Sequence, residues 1–408
     1  MTIARISHAT KVLSGTFELP ASKSISNRLL IMQALSNGKI KLHNLSEADD
    51  THLMQQALKQ HSGVINLHNA GTCMRLLAAY FSLKSTDIIL HGNERMHQRP
   101  IGQLVEALQQ LGADIDCIDR EGFPPLHIRG KQLHGGTLDP RDWLSSQFVS
   151  GLMLIAPYLT QELCIELPQA MVSEPYIHLT EVWMKKCGAR VIRQNGMIRI
   201  EPHPYTAAEL TCEPDWSSAT YAYAMASLAK HASITLPNVH DTDTQGDKII
   251  ATYMERFGVS THFTADGAVL QQTRLMLHEC QYNMSHYPDM VQTLAVLFAA
   301  RGIRAEFTHI QHLQYKETNR LAALHNELNK CGFSAEVTDD SLTVNPENFR
   351  VDSVPRIKTY GDHRMAMAFA PLALIFDAIE IENPEVVQKS FPDYWQQLQK
   401  LGFDISYV

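Results

Sequence analysis

One pattern recurs along this chain at a nearly constant interval, and it limits the fold more than any other feature. An amphipathic helix ends in Gly, and a short apolar/polar alternation follows. It reads QLVEALQQLG before ADIDCID, LTEVWMKKCG before ARVIRQ, IIATYMERFG before VSTHFT, LAALHNELNKCG before FSAEVT, and YWQQLQKLG before FDISYV. The glycines are Gly112, Gly188, Gly258, Gly332 and Gly402, spaced 76, 70, 74 and 70 residues apart. A Gly just past a helix end is the expected left-handed cap. A weaker sixth copy, LMQQALKQHSG, ends at Gly63.

A second pattern interleaves with the first. Six segments open on small polar or charged residues and run into an apolar helix. They are SKSISNRLLIMQALS, NAGTCMRLLAAYFSL, SSQFVSGLMLIAPYL, DWSSATYAYAMASLA, PDMVQTLAVLFAA and GDHRMAMAFAPLALIF. Helices apolar almost all round are expected to be buried. Each is followed by a strand candidate: KIKLHNL, STDIILHG, ELCIELP, ASITLPN, RAEFTHI and AIEIENP. The strands after the Gly caps are expected to form hairpins, as at Asn195-Gly196 and Asp266-Gly267. The chain therefore reads as about six copies of one βαβαββ-like unit, arranged as two α/β domains of three units each. The first unit is short, its two helix heads lying only 45 residues apart, from Ser24 to Asn69.

Size and composition agree with that division. The chain has 408 residues, 45% apolar and 19% charged, enough for two cores and too ordered in character for global disorder. Its 35 Lys and Arg against 43 Asp and Glu leave a formal charge of −8, which disfavours a nucleic-acid scaffold. The longest apolar stretch, Met365 to Phe376, is too short to span a bilayer and contains Pro371. The start, Met1-Thr2-Ile3-Ala4-Arg5, lacks the apolar run of a signal peptide. Seven cysteines without a CxxC pair argue against a disulfide framework or a zinc ribbon. A cytoplasmic protein without membrane or nucleic-acid partners is expected.

The heads of the buried helices carry the functional signal. N-capping accounts for one Ser, Thr, Asn or Asp per helix, worth ~1 kcal/mol. It does not account for the cations beside them: Lys23 and Arg28 at the first head, Arg75 in the second, Arg364 in the sixth. A helix N-terminus offers free N–H groups and about half a positive charge, a site for phosphates and carboxylates. Several such heads with added Arg and Lys make a multi-anion site in an acidic protein.

Ten segments, in order and with matching spacing, carry a resemblance. They are LPASKSISNR (Leu19 to Arg28), NAGTCMR (Asn69 to Arg75), RPIG (Arg99 to Gly102), SSQF (Ser145 to Phe148) and SEPYI (Ser173 to Ile177). The others are DWSSA (Asp215 to Ala219), PDM (Pro288 to Met290), YKETNR (Tyr315 to Arg320), GDHRMAM (Gly361 to Met367) and KSFPDY (Lys389 to Tyr394). Over nearly its full length the chain resembles the 5-enolpyruvylshikimate-3-phosphate synthase family. The resemblance implies two domains of three βαβαββ units around buried parallel helices, an inside-out α/β barrel, closing over the substrates. Matched motifs place a shikimate-3-phosphate-binding domain at 21–212. Residues 1–20 and 213–408 form the second, carrying acid/base and phosphoenolpyruvate-binding groups. The implied reaction moves the enolpyruvyl group of phosphoenolpyruvate onto the 5-hydroxyl of shikimate 3-phosphate and releases phosphate. The route is a non-covalent tetrahedral intermediate on the shikimate pathway to aromatic amino acids. No metal or cofactor is implied, and a monomer is expected.

Site residues follow by position. Shikimate 3-phosphate is expected to meet Lys23, Ser24, Arg28, Ser145, Ser146, Gln147, Ser173, Asp289 and Lys316, with Tyr176 beside Ser173. Phosphoenolpyruvate is expected to meet Lys23, Gly71, Arg99, Gln147, Arg320, Arg364 and Lys389. Asp289, Glu317 and Lys23 are the expected catalytic groups: Glu317 exchanging the C3 proton, Asp289 orienting or deprotonating the 5-hydroxyl, Lys23 assisting. His363 is placed near the phosphate or carboxylate. Four positions depart from the family pattern. Asn319 replaces an Asp that would orient its neighbouring Arg, and Leu76 replaces a Pro, which bears on sensitivity to glyphosate-like analogues. His312 replaces an Asn, and Trp216 is bulky for its place. Two alternatives remain: the related UDP-N-acetylglucosamine enolpyruvyl transferases, and a non-catalytic anion-binding relative.

Overall fold

The computed structural model describes residues 2–139, 143, 145–168, 171–345 and 353–408. The chain divides into two compact units. One, here the inserted unit, is Ala21–Cys212; the other, the terminal unit, joins Met1–Pro20 to Glu213–Val408. Each has its own hydrophobic core. Among the described residues no helix is long and apolar enough to cross a membrane.

The repeat is visible in the sheets. Among the described residues each unit contains three, and five of the six are four-stranded. All five share one plan, a parallel pair continued by two antiparallel pairings. Ser62–Asn66 runs parallel to Asp87–His91, which pairs antiparallel with Leu126–Arg129, which pairs antiparallel with Asp114–Cys117. In the terminal unit, Glu279–Asn283, Arg304–Thr308, Leu342–Asn345 and Ser334–Val337 repeat that plan. One such sheet draws on both ends of the chain, with Ile3–Ser7 between Ile379–Glu382 and Asp404–Tyr407. The short first unit has the two-stranded sheet, Ile40–His43 beside Ala208–Thr211. These are open sheets; among the described strands none closes into a barrel.

The six polar-headed segments are helices over Lys23–Leu35, Gly71–Leu83, Ser146–Ile155, Trp216–Leu228, Val291–Ala300 and His363–Phe369. Every residue of Trp216–Leu228 and of Val291–Ala300 is buried, as all-round apolarity requires. Each buried Leu, Met or Phe in them contributes about 1.5–3 kcal/mol. Close packing has a visible cause at Gly151. A Cβ there would lie 3.3 Å from the Arg75 carbonyl and 3.4 Å from Ala79 Cβ, so the Ser146–Ile155 and Gly71–Leu83 helices approach closely. In the inserted unit the heads lie side by side. Asn27 Nδ2 reaches Cys73 Sγ at 3.7 Å, Gln147 Nε2 donates to Thr72 Oγ1 at 3.1 Å, and Arg28 donates to Ser150 Oγ at 3.0 Å. Helices whose heads adjoin run in the same direction.

Two local expectations fail. Gly63 caps no helix, because the Asp49–Ala57 helix ends earlier and Gly63 pairs with Ile88 inside the strand Ser62–Asn66. The Asn195-Gly196 turn forms with both residues left-handed, φ 52° and 75°. The second hairpin turns instead through Ala265-Asp266, since Thr264 pairs with Gly267. Gly267 is the first strand residue (φ 143°), and a Cβ there would sit 2.2 Å from the Leu236 carbonyl oxygen. Close strand approach, not the turn, requires that glycine.

Candidate active site

The expected residues fall into two clusters, one in each unit. In the inserted unit the centre is Arg28, almost completely buried on the Lys23–Leu35 helix. Its Nε donates to Thr180 Oγ1 (2.7 Å), one terminal nitrogen to the Ser24 carbonyl (2.8 Å) and the other to Ser150 Oγ (3.0 Å). Its guanidinium lies 5.9 Å from the Tyr176 ring centroid. All these partners are neutral, and no described carboxylate pairs with it. Burial pushes Arg28 down to about 10, with Tyr176 opposing, so it stays charged at neutral pH. A buried cation satisfied only by neutral oxygens retains most of its field for an incoming anion.

The other expected residues of this unit stand at the same helix heads. Ser145 caps the Ser146–Ile155 helix, its hydroxyl accepting from the Gln147 N–H at 3.2 Å. Ser146 is buried behind it. Ser173 is buried and left-handed (φ 56°), its carbonyl accepting from the Tyr176 N–H. Lys23 forms a 2.9 Å ion pair with Asp50, a partner the sequence reading did not name. Arg99 is buried and donates to the Asn69 carbonyl and Oδ1 at 3.4 and 3.3 Å. It also explains Gly71, where a Cβ would fall 2.5–2.7 Å from the Arg99 guanidinium. A side chain at Gly71 would displace the Arg99 guanidinium. Arg75 serves the fold: it donates to the Gly71 and Pro100 carbonyls, tying the second helix head to the Arg99-Pro100 segment.

The terminal unit is built differently. Arg320, at the start of the Arg320–Lys330 helix, is fully buried and meets three carboxylates. Its Nε lies 2.8 Å from Asp362, one terminal nitrogen 3.1 Å from Asp289 and the other 2.9 Å from Glu317. Asp289, in the short Pro288–Met290 turn, is also held by Arg364, whose terminal nitrogens reach its Oδ2 at 2.9 Å and its carbonyl at 3.0 Å. Asp362 caps the last buried helix by accepting from the Arg364 N–H. Burial lowers Arg320, but Asp362, Glu317 and Asp289 outweigh it and hold the guanidinium charged. Burial would raise Asp289, yet Arg364, Lys316 and Arg320 overcome it and Glu317, holding the carboxyl well below the usual range. Removing one member of such a buried network costs ~3–5 kcal/mol.

Lys316 stands close enough to act on both Asp289 and His312. Lys389 ends the Pro384–Lys389 turn, which packs on the His363–Phe369 helix. His363 is buried, its Nδ1 3.6 Å from Asp362, too far for a hydrogen bond. His312 is buried, and among the described residues neither ring nitrogen has a hydrogen-bond partner. Burial first, then Lys316, pushes it down to about 3, with Asp289 opposing and Arg320 adding, so it is a neutral imidazole. Asn319 is exposed and caps the Arg320–Lys330 helix, its Oδ1 accepting from the Ala322 N–H. It does not orient Arg320, which Asp362, Asp289 and Glu317 hold instead. Trp216 fits its place, buried against Phe263 with a 6.2 Å centroid separation.

One group of this unit escaped sequence reading. Asp247 is buried and accepts from the Ser217 hydroxyl. Burial, aided by Asp289 and Asp215 and opposed by Ser217 and Arg364, pushes it up to about 6. The run Thr244-Gln245-Gly246-Asp247, polar yet buried apart from its glycine, was the available signal. Asp289 stays ionised while Asp247 titrates near neutrality, so neighbouring carboxyls here have environments that push them apart.

Known proteins resemble this chain along nearly its whole length. The family model described as EPSP synthase (3-phosphoshikimate 1-carboxyvinyltransferase) matches residues 8–62 and 60–398. A 3-phosphoshikimate 1-carboxyvinyltransferase of Bacteroides fragilis is 42% identical over 399 residues, covering 97% of each chain. One of Yersinia ruckeri is 36% identical over 421 residues, covering 96% of this chain and 97% of its own. The EPSP synthase structure of Acinetobacter baumannii superposes with a TM-score of 0.78 at 20% identity, covering all of both chains. The enolpyruvyl transferase NikO of Streptomyces tendae gives 0.76 at 16%, covering 100% of this chain and 99% of its own. These two share the fold. By family match and by relatives of over 30% identity along nearly its whole length, this chain belongs to the EPSP synthase family, the 3-phosphoshikimate 1-carboxyvinyltransferases of the shikimate pathway.

Proposed function

We propose that the inserted unit recognises shikimate 3-phosphate and that the terminal unit supplies the proton chemistry of enolpyruvyl transfer from phosphoenolpyruvate. The observation that carries this reading is the contrast between Arg28, a buried cation among neutral oxygens, and Arg320, a buried cation among three carboxylates. The first is arranged to receive an anion from outside. The second holds carboxylates in fixed positions, as proton transfer requires.

Ser145, Ser146, Gln147 and Ser173 hydrogen-bond the acceptor's phosphate and hydroxyls, and Ser24 and Arg28 complete its cradle; Lys316 also serves this substrate. Lys23, Gly71, Arg99 and Gln147 face the phosphoenolpyruvate, with Arg364 and Lys389 neutralising its carboxylate and phosphate and Arg320 lining that site while it braces its three carboxylates. The 5-hydroxyl oxygen bonds to C2 of phosphoenolpyruvate as its proton passes to the ionised Asp289 that orients it, while Glu317 delivers a proton to C3. The adduct then returns a C3 proton to Glu317 and expels phosphate, which takes up the proton held by Asp289, restoring the double bond. Lys23 steadies the charge that develops on the bridging and leaving oxygens. No bond to the protein forms. The reading includes a monomer in the cytoplasm, where its seven cysteines, all free, stay reduced.

Phosphate release with phosphoenolpyruvate and each candidate acceptor tests this. Turnover is expected with shikimate 3-phosphate and not with UDP-N-acetylglucosamine. Release with the nucleotide sugar alone would overturn the assignment, and release with neither would leave only an anion-binding protein.

A further inference from the structure

Glu327 is completely buried, yet it lies outside the network around Arg320. It sits on the same helix as Arg320, seven residues on. That is about two turns, so both side chains leave the same face. Its Oε1 accepts from the Tyr360 hydroxyl at 2.7 Å. Its Oε2 accepts from the Lys358 backbone N–H at 3.1 Å and from Lys330 Nζ at 2.7 Å. Two of its three donors thus belong to the segment just before Asp362-His363-Arg364.

That segment needs holding. Tyr360 and Gly361 are consecutive left-handed residues, φ 55° and 70°. Glycine adopts that conformation freely, but a tyrosine does so only where its surroundings over-determine it. Here they do. The hydroxyl is bound to Glu327, the ring lies 5.1 Å from Lys358 Nζ, and the Asp362 N–H donates to the Thr359 carbonyl at 2.9 Å. Burial and Glu327 push the Tyr360 phenol up to about 12, so it remains a donor at any working pH. At the far end of the segment Asp362 is fixed to Arg320 at 2.8 Å. One helix therefore pins both ends of a turn five residues long, and the turn leads directly into Arg364.

We propose that Glu327 is a positioning residue: by clamping Lys358 and Tyr360 to the helix that bears Arg320, it sets the Arg364 guanidinium in register for the carboxylate of phosphoenolpyruvate. A buried carboxylate is expensive to desolvate, and replacing a buried ion pair by apolar groups is often neutral for stability. Geometry is the return on keeping it. The proposal rests on the reading that Arg364 meets that carboxylate.

Steady-state kinetics, melting and hydrogen exchange on Glu327→Ala, Glu327→Gln and Tyr360→Phe test it. In Glu327→Ala the KM for phosphoenolpyruvate should rise about 30-fold, with the KM for shikimate 3-phosphate within about two-fold of wild type. Glu327→Gln, which retains acceptor oxygen, should recover most of that loss. Tyr360→Phe, which serves if Glu327→Ala does not fold, should raise the same KM about five-fold and lower the melting temperature by only a few degrees. Amides from Lys358 to Arg364 should exchange faster in Tyr360→Phe than in wild type. Equal rises in both KM values, no rise in either, or unchanged exchange in that segment would overturn the proposal. If wild type does not turn over phosphoenolpyruvate, the functional reading fails by itself, and the exchange measurement still judges the clamp.

Discussion

Arg28 and Arg320 are both buried arginines at the heart of a helix-head cluster, and their surroundings are opposite. Arg28 is solvated by two hydroxyls and a carbonyl. Arg320 is saturated by three carboxylates. Burial lowers the one to about 10, and carboxylates raise the other. The same residue type thus does two jobs. In neutral company it is left available to an incoming anion, and among acids it is a brace that fixes where their lone pairs point. A charge count of either cluster would miss this, because the partners decide what the cation is available to do.

The largest effect should come from the braced cluster. Glu317→Gln keeps the shape of the side chain but removes its proton exchange, so turnover should fall ~10²–10⁴-fold. Single-turnover phosphate release measures this, and a loss below about ten-fold would contradict the role assigned to Glu317.

The receptor cluster should respond in affinity instead. Arg28→Ala leaves an anion facing hydroxyls alone, and shikimate 3-phosphate binding should weaken by about 2–4 kcal/mol. Because Arg28 has no described carboxylate partner, the variant leaves no orphaned acid behind and should remain folded; its melting curve checks this.

Asp247 separates the two clusters by pH. Its folded-state value, about 6, lies above its ordinary 3.8 because burial penalises the ionised form. Its contribution to stability is therefore most favourable below pH 3.8 and is lost as pH rises to about 6. Asp247→Asn should stabilise the protein by ~1–3 kcal/mol at pH 7–8, and the gain should shrink to nothing towards pH 4. Denaturant melts at the two pH values decide it. Arg28→Ala should show no such pH dependence over that range.

The smallest expected effect is at Gly71. Gly71→Ala pushes a methyl into the Arg99 guanidinium, 2.5–2.7 Å away. The KM for phosphoenolpyruvate should rise about ten-fold, with shikimate 3-phosphate affinity nearly unchanged.

Much of this architecture was legible in the sequence, for physical reasons. Helix heads are legible because capping and anion binding both use small polar residues at fixed positions, as at Ser145 and Asp215. The repeat is legible because each helix end needs a left-handed residue, and Gly112, Gly188, Gly258, Gly332 and Gly402 all have positive φ. Illegible were features set by partners distant in sequence. Lys23 finds Asp50, Glu327 finds Tyr360, and Asp247 finds Ser217, across 27, 33 and 30 residues. Gly71 and Gly267 were legible as special but for other reasons than the structure supplies, since only three-dimensional neighbours reveal what a Cβ would strike. Gly63 misled because a positive φ within a strand and one at a helix cap look alike in a string of residues.

The most direct test is calorimetric titration of shikimate 3-phosphate into wild type, Glu317→Gln and Arg28→Ala under one set of conditions. Glu317→Gln should bind as wild type does while Arg28→Ala loses at least about thirty-fold in affinity. Equal losses in both variants, or the larger loss in Glu317→Gln, would contradict the division between receptor and brace.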